Sequence, residues 1–165
     1  MNIRKSTMED IPAIMGIYQE AREYMKETGN PDQWGDRHPP QELIEKDIHE
    51  GKSYVCLDGN KNDEIVAVFY FNVEEEQDYG KIDGSWLNDK PYGVIHRIAR
   101  GKYGKGRGAF CIEWCFSQYP NIRIDTHKDN KIMLELLKKL GYEYCGIIWL
   151  TTTGDERMAF QKCLK

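Results

Sequence analysis

The 165-residue chain is 40% hydrophobic and 30% charged, which is typical of a globular protein and excludes a disordered one. Its formal charge of −4 argues against a broad nucleic-acid-binding surface, and no stretch approaches the roughly 18 apolar residues of a membrane span. Because its start is also too polar for a signal peptide, we expect one cytoplasmic domain over residues 1–165, without nucleic-acid or membrane partners.

The first half of the chain predicts one strand, two helices and a hairpin. Polar and apolar residues alternate over residues 2–5, which favours a short strand, and apolar residues then recur with a helical period from Ile11 until a glycine ends the pattern. A second, shorter helix is predicted over residues 41–50. Residues 52–57 and 64–73 are rich in Val, Tyr, Phe and Ile and flank an Asp-Gly-Asn turn, so they predict an antiparallel hairpin.

The second half predicts a long connection and then alternating strands and helices. The polar stretch over residues 74–92 is interpreted as an excursion between strands, and residues 93–99 form the next strand. The elements after it are, in order, a helix over residues 108–119, a strand over 122–126, a helix over 130–140, and strands over 142–150 and 157–163. Together these elements predict a mixed sheet with helices on its faces.

The five cysteines show no pair at the spacing of a disulfide framework or a common zinc site. Cys111 and Cys115 lie four residues apart on a predicted helix, which is typical of small thiols on one buried face. We therefore interpret the cysteines as reduced thiols and expect no metal.

The segment between the strand 93–99 and the next helix is the most informative part of the sequence. Four glycines fall close together in it, at Gly101, Gly104, Gly106 and Gly108. Glycine lets the backbone approach a ligand closely, and the unpaired amides and dipole of a helix N-terminus attract an anion. Four basic residues add local positive charge, namely Arg100, Lys102, Lys105 and Arg107. The segment predicts a phosphate site, with a flexible basic hairpin as the alternative.

Two well-known phosphate-binding patterns can be compared with this loop. A P-loop requires Ser or Thr after the Lys of its G-x-x-x-x-G-K pattern, but Lys105 is followed by Gly106, which excludes that class. A dinucleotide-binding turn is harder to exclude, because Gly104, Gly106 and Ala109 fit its G-x-G-x-x-G/A spacing and Asp125 ends the next strand. The chain beyond the loop is too short for most of the second half of such a sheet, which disfavours this alternative.

The loop resembles that of the GNAT acetyltransferases. In that family a strand is followed by an Arg or Gln, two further residues, a Gly, one residue, and a Gly or Ala that opens a helix; residues 103–108 fit every position but the first. Asn130 and the pair Gly141-Tyr142 are similar to the family's residues at the two ends of the next helix, and the order of elements matches over nearly the whole chain. The resemblance implies a mixed α/β fold, with a mostly antiparallel sheet of about six to seven strands flanked by about four helices.

The resemblance also implies acetyl-CoA as co-substrate and assigns residues to it. The backbone of Ile98, with His96 beside it and Ala99 at the edge, would pair with the pantetheine arm. Asn130 would bond near the thioester end, or serve simply as a helix N-cap. The pyrophosphate would be held by the loop, at Tyr103, Gly104, Lys105, Gly106, Arg107, Gly108 and Ala109.

Two positions depart from the family pattern. Tyr103 replaces the Arg or Gln, so one contact is absent. Leu137 stands where many members carry a Tyr that protonates the leaving thiolate, so that acid is missing.

Acetyl transfer to an amine requires a neutral nucleophile, whereas an amine with a pKa of roughly 10.4 is protonated at pH 7. His96 and His127 are the candidate bases, because imidazole titrates near neutrality; packing is the alternative role of each. The three glutamates 74–76 rank below the histidines, since acids in a row are typical of a solvated loop.

Two aromatic segments are expected to flank the acceptor. Trp34 in the loop 30–40 and Trp86 in the stretch 77–92 are the substrate-side candidates, since aromatic rings bind an amine by cation–π contact, although they also cover core edges. The acceptor is expected to be a small-molecule or peptide amine. Many family members dimerise, so a homodimer is a further expectation from the resemblance.

The leading hypothesis from the sequence is an N-acetyltransferase that moves an acetyl group from acetyl-CoA to an amine by direct attack. The departures at Tyr103 and Leu137 leave open an acyl-CoA-binding sensor without turnover. The glycine spacing leaves open a dinucleotide-binding protein.

Overall fold

Eight strands form one mixed sheet in the computed structural model, which describes residues 2–60, 62–102 and 104–164. The strand order is β1-β2-β3-β5-β6-β8-β7-β4. The strands are β1 (Asn2–Lys5), β2 (Ser53–Leu57), β3 (Ile65–Val73), β4 (Asp83–Gly84), β5 (Gly93–Arg100), β6 (Asn121–Thr126), β7 (Glu143–Trp149) and β8 (Glu156–Cys163). Neighbouring strands are antiparallel except β5 and β6, which are parallel. The fold class predicted from the sequence is confirmed.

The strand count is higher than the six to seven expected, and β4 is the strand that the sequence did not reveal. It consists of two residues in the connection 74–92 and pairs with β7 at the edge of the sheet. The two backbones approach so closely that a Cβ on Gly84 would lie 2.1 Å from the carbonyl oxygen of Cys145. A two-residue strand has too few positions to show an alternating pattern, so the sequence does not predict it.

Four α-helices cover the sheet, as predicted. They are α1 (Ile11–Glu27), α2 (Gln41–His49), α3 (Arg107–Gln118) and α4 (Lys131–Lys139). A short 3-10 turn precedes α1, and there the Asp10 carboxylate accepts a hydrogen bond of 2.7 Å from the Thr7 amide, which is a capping-box contact. None of the described helices combines the length and apolar character that crossing a membrane demands.

The helices bury apolar side chains on both faces of the sheet. Successive residues of a strand point to opposite faces, so Val68 of β3 packs with α1 and α2 while Phe69 packs with α3. Both side chains are almost fully buried. The helices on the two faces of the sheet therefore hold β5 and β6 in place.

Candidate active site

The two parallel strands in the middle of the sheet diverge to open a cleft. β5 and β6 pair only at Gly93 with Ile122 and at Val94 with Arg123. Beyond that point β5 continues on β3, and β6 continues on β8, so each strand keeps a partner on its outer side only. A cavity of about 620 Å³ lies between them, lined by residues 95–98 of β5 and 124–126 of β6.

A β-bulge deforms β5 where it borders this cavity. Val68 pairs with Ala99 and Tyr70 pairs with His96, so Arg97 and Ile98 together oppose the single residue Phe69. Arg97 has a φ of +51°, in the left-handed region that residues other than glycine rarely adopt. Ile98, predicted to contact the pantetheine arm, lines the cavity, whereas Ala99 is buried against α1.

The glycine-rich loop ends in a set of unengaged amides at the start of α3. The amides of Gly104 and Arg107 each donate a 2.9 Å hydrogen bond to a loop carbonyl, on Gly101 and Gly104 respectively. Gly106 is the N-cap of α3 with a φ of +81°, and its carbonyl accepts from Phe110. Among the described residues, no protein acceptor faces the remaining amides of this segment, those of Lys105, Gly106, Gly108 and Ala109. Four of the predicted phosphate donors are therefore available, and Gly104 and Arg107 are committed to the turn.

Close packing against β3 fixes the position of this loop. A Cβ on Gly104 would lie 2.6 Å from the carbonyl oxygen of Val66, and the same oxygen accepts a 3.0 Å bond from the Gly101 amide. On the other side, the Lys102 amide donates to the Glu20 carboxylate at 2.8 Å. Tyr103, the predicted contact that departs from the family pattern, lies outside the described residues.

The basic side chains of the loop do not all face the same way. The Arg107 guanidinium donates to Asp58 at 2.8 Å in the turn between β2 and β3, and its Nε finds no partner among the described atoms. Arg100 lies over the ring of Tyr24 at 5.3 Å. Arg107 therefore contributes its charge to a neighbouring turn rather than standing free above the helix N-terminus.

Asn130 serves as the N-cap of α4, and it also lines the cavity. Its Oδ1 accepts from the Met133 amide at 3.1 Å, and its Nδ2 donates to Gln33 Oε1 at 3.0 Å. The backbone carbonyl of Gln33 accepts from Arg157 at 3.3 Å. Gln33 of the loop 30–40 is thus tied to both the N-cap of α4 and β8. The N-cap role considered from the sequence is present, together with a position on the cavity wall.

His96 points into the main cavity and forms a pair with Glu76. Its Nε2 lies 3.2 Å from Glu76 Oε1, and both side chains are about four-fifths buried. Its ring contacts those of Tyr70 at 5.4 Å and Tyr79 at 6.3 Å between centroids. Glu76 ranked below the histidines in the sequence analysis, and the structure joins it to one of them.

A partly buried carboxyl lies on the opposite wall of the cavity. Asp125 of β6 accepts a 2.6 Å hydrogen bond from the Tyr79 hydroxyl. Burial raises the pKa of Asp125, and also that of Tyr79. From the sequence, Asp125 was a candidate ribose contact of the dinucleotide-binding alternative, and in the structure its carboxylate accepts from Tyr79.

The second candidate base lies apart from His96. The Nδ1 of His127 accepts from the Asp129 amide at 3.0 Å, so this ring caps the turn before α4. It lines a neighbouring cavity with Lys128 and Met158. The structure therefore places one predicted base in the main cavity and the other outside it.

The two predicted substrate-side tryptophans also separate. Trp34 lines the main cavity and makes an edge contact of 5.7 Å with the Tyr18 ring. Trp86 donates from its ring N–H to the Tyr79 carbonyl and lies 4.2 Å beneath the Arg123 guanidinium. Among the described residues, Trp86 is not part of the lining of the main cavity, and it packs against the core edge.

Carboxylates dominate the polar lining of the cavity. They are Asp32, Glu74, Glu76, Asp78, Asp125 and Asp155. The lining also contains two arginines, and one of these, Arg97, is already paired with Asp47 at 2.9 Å. His38 adds no charge at neutral pH, because burial lowers its pKa to about 4. The electrostatic character of the cavity suits a cation. The described part of the chain holds no group of three or more His, Cys, Asp or Glu side chains arranged for a metal ion.

The fold as a whole is similar to that of solved acetyltransferases. The chain is 31% identical to an acetyltransferase of the GNAT family from Streptococcus agalactiae, covering 99% of this chain and 95% of that one, with a TM-score of 0.88. It is also 26% identical over 148 residues to YesJ of Bacillus subtilis, an uncharacterized N-acetyltransferase, covering 84% of this chain and 79% of YesJ. The chain therefore belongs to the GNAT family of acetyltransferases. No family model matches it.

The fold is shared with more distant members. A GNAT phosphinothricin acetyltransferase from Sinorhizobium meliloti, solved in complex with AcCoA, is 12% identical, with a TM-score of 0.64 over 99% of this chain and 88% of that one. At this identity the likeness concerns the fold alone.

Proposed function

We propose that the protein is an N-acetyltransferase that moves an acetyl group from acetyl-CoA to a cationic amine by direct attack. The observation that carries this proposal is the cleft between β5 and β6, which leads to the unengaged amides at the start of α3. Family membership supports the acetyl donor. The first and last strands lie in the same sheet, which supports a single catalytic domain over residues 1–165.

The pyrophosphate of acetyl-CoA would bind at the amides of Lys105, Gly106, Gly108 and Ala109. These donors point out of a helix N-terminus, where the helix dipole adds a favourable field for an anion. The positive φ of Gly106 sets the direction of the turn, and the contact of Gly104 with β3 keeps the loop close to the cleft. The pantetheine arm would then run along β5 at Ile98, in the place that a neighbouring strand would occupy.

Attack requires an amine without its proton, and His96 is the base that the cavity favours. The imidazole takes a proton from the attacking nitrogen, directly or through one water, while Glu76 orients the ring. The nitrogen bonds to the acetyl carbon, the carbon–sulfur bond breaks, and free CoA leaves as a thiolate that takes a proton from water or from the acceptor. Leu137 is fully buried in the apolar core, so this position supplies no acid.

The bulge in β5 would polarise the thioester carbonyl. A backbone N–H that has no strand partner is available to bond the oxygen as negative charge develops on it. Arg97 and Ile98, the two residues of the bulge, both line the cavity, where the pantetheine arm would place its thioester.

The acceptor that fits the other half of the cavity is an amine that carries positive charge. Five carboxylates besides that of Asp125 line the cavity, and Trp34 offers an aromatic face to an ammonium group. A small amine or the side chain of a peptide lysine meets this description. An anionic acceptor would face repulsion from the same walls.

Release of the CoA thiol in the presence of a panel of amines tests the proposal. We expect turnover with cationic amines and little with neutral or acidic ones. Acetyl-CoA that stabilises the protein thermally without thiol release would instead favour a sensor, in line with the missing acid at Leu137. Stabilisation by NAD or NADP but not by CoA would contradict the proposal altogether.

A further inference from the structure

The bulge in β5 contains a residue whose backbone conformation is strained. Arg97 has a φ of +51° at the position of a bulge where glycine usually supplies the positive φ. Backbone strain of this kind persists only where the surrounding structure over-determines it. The contacts of Arg97 therefore indicate what maintains the bulge.

Three elements hold Arg97 in place. Its Nε and Nη2 each donate a 3.0 Å hydrogen bond to the Asp47 carboxylate of α2. Its backbone carbonyl accepts a 2.7 Å hydrogen bond from the Tyr18 hydroxyl of α1. Its guanidinium lies 4.7 Å from the centre of the Tyr70 ring on β3. We call Asp47, Tyr18 and Tyr70 the Arg97 clamp.

The clamp is buried, which suits a positioning role. Asp47 is 4% exposed and Tyr18 is 1% exposed, so neither side chain has water as an alternative partner. A bidentate carboxylate–guanidinium pair fixes direction as well as distance. The clamp grips both the side chain and the carbonyl of Arg97, so it restrains the peptide plane between Arg97 and Ile98.

We propose that Asp47 and Tyr18 are positioning residues for acetyl transfer, because they hold Arg97 at positive φ and so aim the bulge backbone at the thioester carbonyl. This inference rests on the proposed function. Neither Asp47 nor Tyr18 lines the main cavity, so these two residues act through the strand. A buried ion pair that merely joins α2 to β5 is the competing explanation.

Asp47→Asn tests the clamp against a matched control. The Arg4–Asp10 pair is also bidentate, at 2.8 and 3.0 Å, and lies outside the cavity lining, so Asp10→Asn removes a similar ion pair away from the cleft. Since a small misplacement or a lost oxyanion donor costs a large factor in rate, we expect Asp47→Asn to lower kcat by about 10-fold to 100-fold. The KM for acetyl-CoA should change by less than about 3-fold, because the loop amides hold most of the donor. Tyr18→Phe should lower kcat in the same sense.

Rescue by glycine separates positioning from a structural role. Glycine adopts positive φ without strain, so it makes the clamp unnecessary. We expect the double variant Asp47→Asn/Arg97→Gly to recover much of the kcat that Asp47→Asn loses. Equal loss of kcat in Asp47→Asn and Asp10→Asn, or no recovery in the double variant, would overturn the proposal.

A measurement without turnover keeps this inference distinct from the proposed function. The φ of Arg97 can be followed by NMR scalar couplings and backbone shifts in the ligand-free protein. We expect it to leave the positive region in Asp47→Asn and to remain there in Asp10→Asn. An unchanged φ in Asp47→Asn would refute the clamp even if the wild-type protein acetylates no amine tested. A changed φ with an inactive wild type would count against the proposed function instead.

Discussion

Replacing Gly104 by alanine should damage both the stability of the protein and its binding of acetyl-CoA. The added Cβ would lie 2.6 Å from the carbonyl oxygen of Val66, well inside the 3.4 Å at which ordinary contact begins. It would also lie 3.2 Å from Arg100 Cβ and from the Gly101 carbonyl oxygen. The closest of these atoms is backbone in the middle of the sheet, so it cannot rotate away. The loop must therefore move off β3.

The size of both effects follows from this displacement. Overpacking costs about 1–3 kcal/mol, so the melting temperature should fall by roughly 4–8 °C for a cost of about 2 kcal/mol. Moving the loop also weakens one or two charge-assisted hydrogen bonds to the pyrophosphate, each worth about 1.5–3 kcal/mol. The Kd for acetyl-CoA should accordingly rise by about 10-fold to 100-fold.

Thermal unfolding and calorimetric titration with acetyl-CoA measure the two effects. Gly16→Ala is the control, because a Cβ at this exposed position in α1 meets nothing within 4 Å. In a helix interior alanine should raise stability by about 0.5–1 kcal/mol, and this site is remote from the loop. A Gly104→Ala variant as stable as wild type would refute the packing argument. A destabilised variant with unchanged affinity would show that the loop does not hold the pyrophosphate.

Three further predictions concern the cavity. His96→Gln should lower kcat by about 100-fold or more, since a general base contributes a factor of roughly 10²–10⁴ in rate. His127→Gln should keep most of the activity, because His127 lies in the neighbouring cavity. Steady-state kinetics with one amine compares the two variants. Asp78→Asn with Asp155→Asn should raise the KM for a cationic amine but not for acetyl-CoA, and equal KM values would contradict the acidic acceptor site. Burial lowers the pKa of His38 from 6.5 to about 4, so the unfolded state binds more protons between these values and the free energy of unfolding should fall as pH decreases from 6.5 to 4. Urea titrations of wild type and His38→Gln check this, and the variant should lose less stability over that range.

Much of the fold could be predicted because its signals are local. The helical period from Ile11 and the Val-rich hairpin each extend over about a dozen residues, and each pattern indicates which face of the element is buried. The glycine-rich loop could also be predicted, since a strand, four glycines and an apolar helix follow one another in the sequence. These patterns require no knowledge of what lies across the sheet.

The parts that the sequence did not reveal depend on contacts between distant residues. Arg97 in the bulge pairs with Asp47, 50 residues earlier, and nothing in the strand pattern marks a positive φ. The buried position of Asp47 leaves a faint signal, because an acid falls on the same face of α2 as Ile44. Similarly, Glu76 stands in a run of three acids, and only the path of the connection after β3 brings it to His96.

The direction in which charged side chains point also could not be predicted from the sequence. Arg107 sits in the loop but pairs with Asp58 in the hairpin turn, because the start of α3 packs beside that turn. Charge near a site in sequence therefore did not mean charge facing the site. The backbone amides, whose direction follows from helix geometry, were the more predictable donors.

An amide-resolved NMR titration with acetyl-CoA tests the central claim most directly. If the start of α3 holds the pyrophosphate, the amide protons of Lys105, Gly106, Gly108 and Ala109 should shift strongly downfield at saturation, together with that of Ile98 on β5. Pantetheine, which lacks the pyrophosphate, should shift Ile98 and leave the four loop amides nearly unchanged. Acetyl-CoA that binds without moving these four amides would contradict the account.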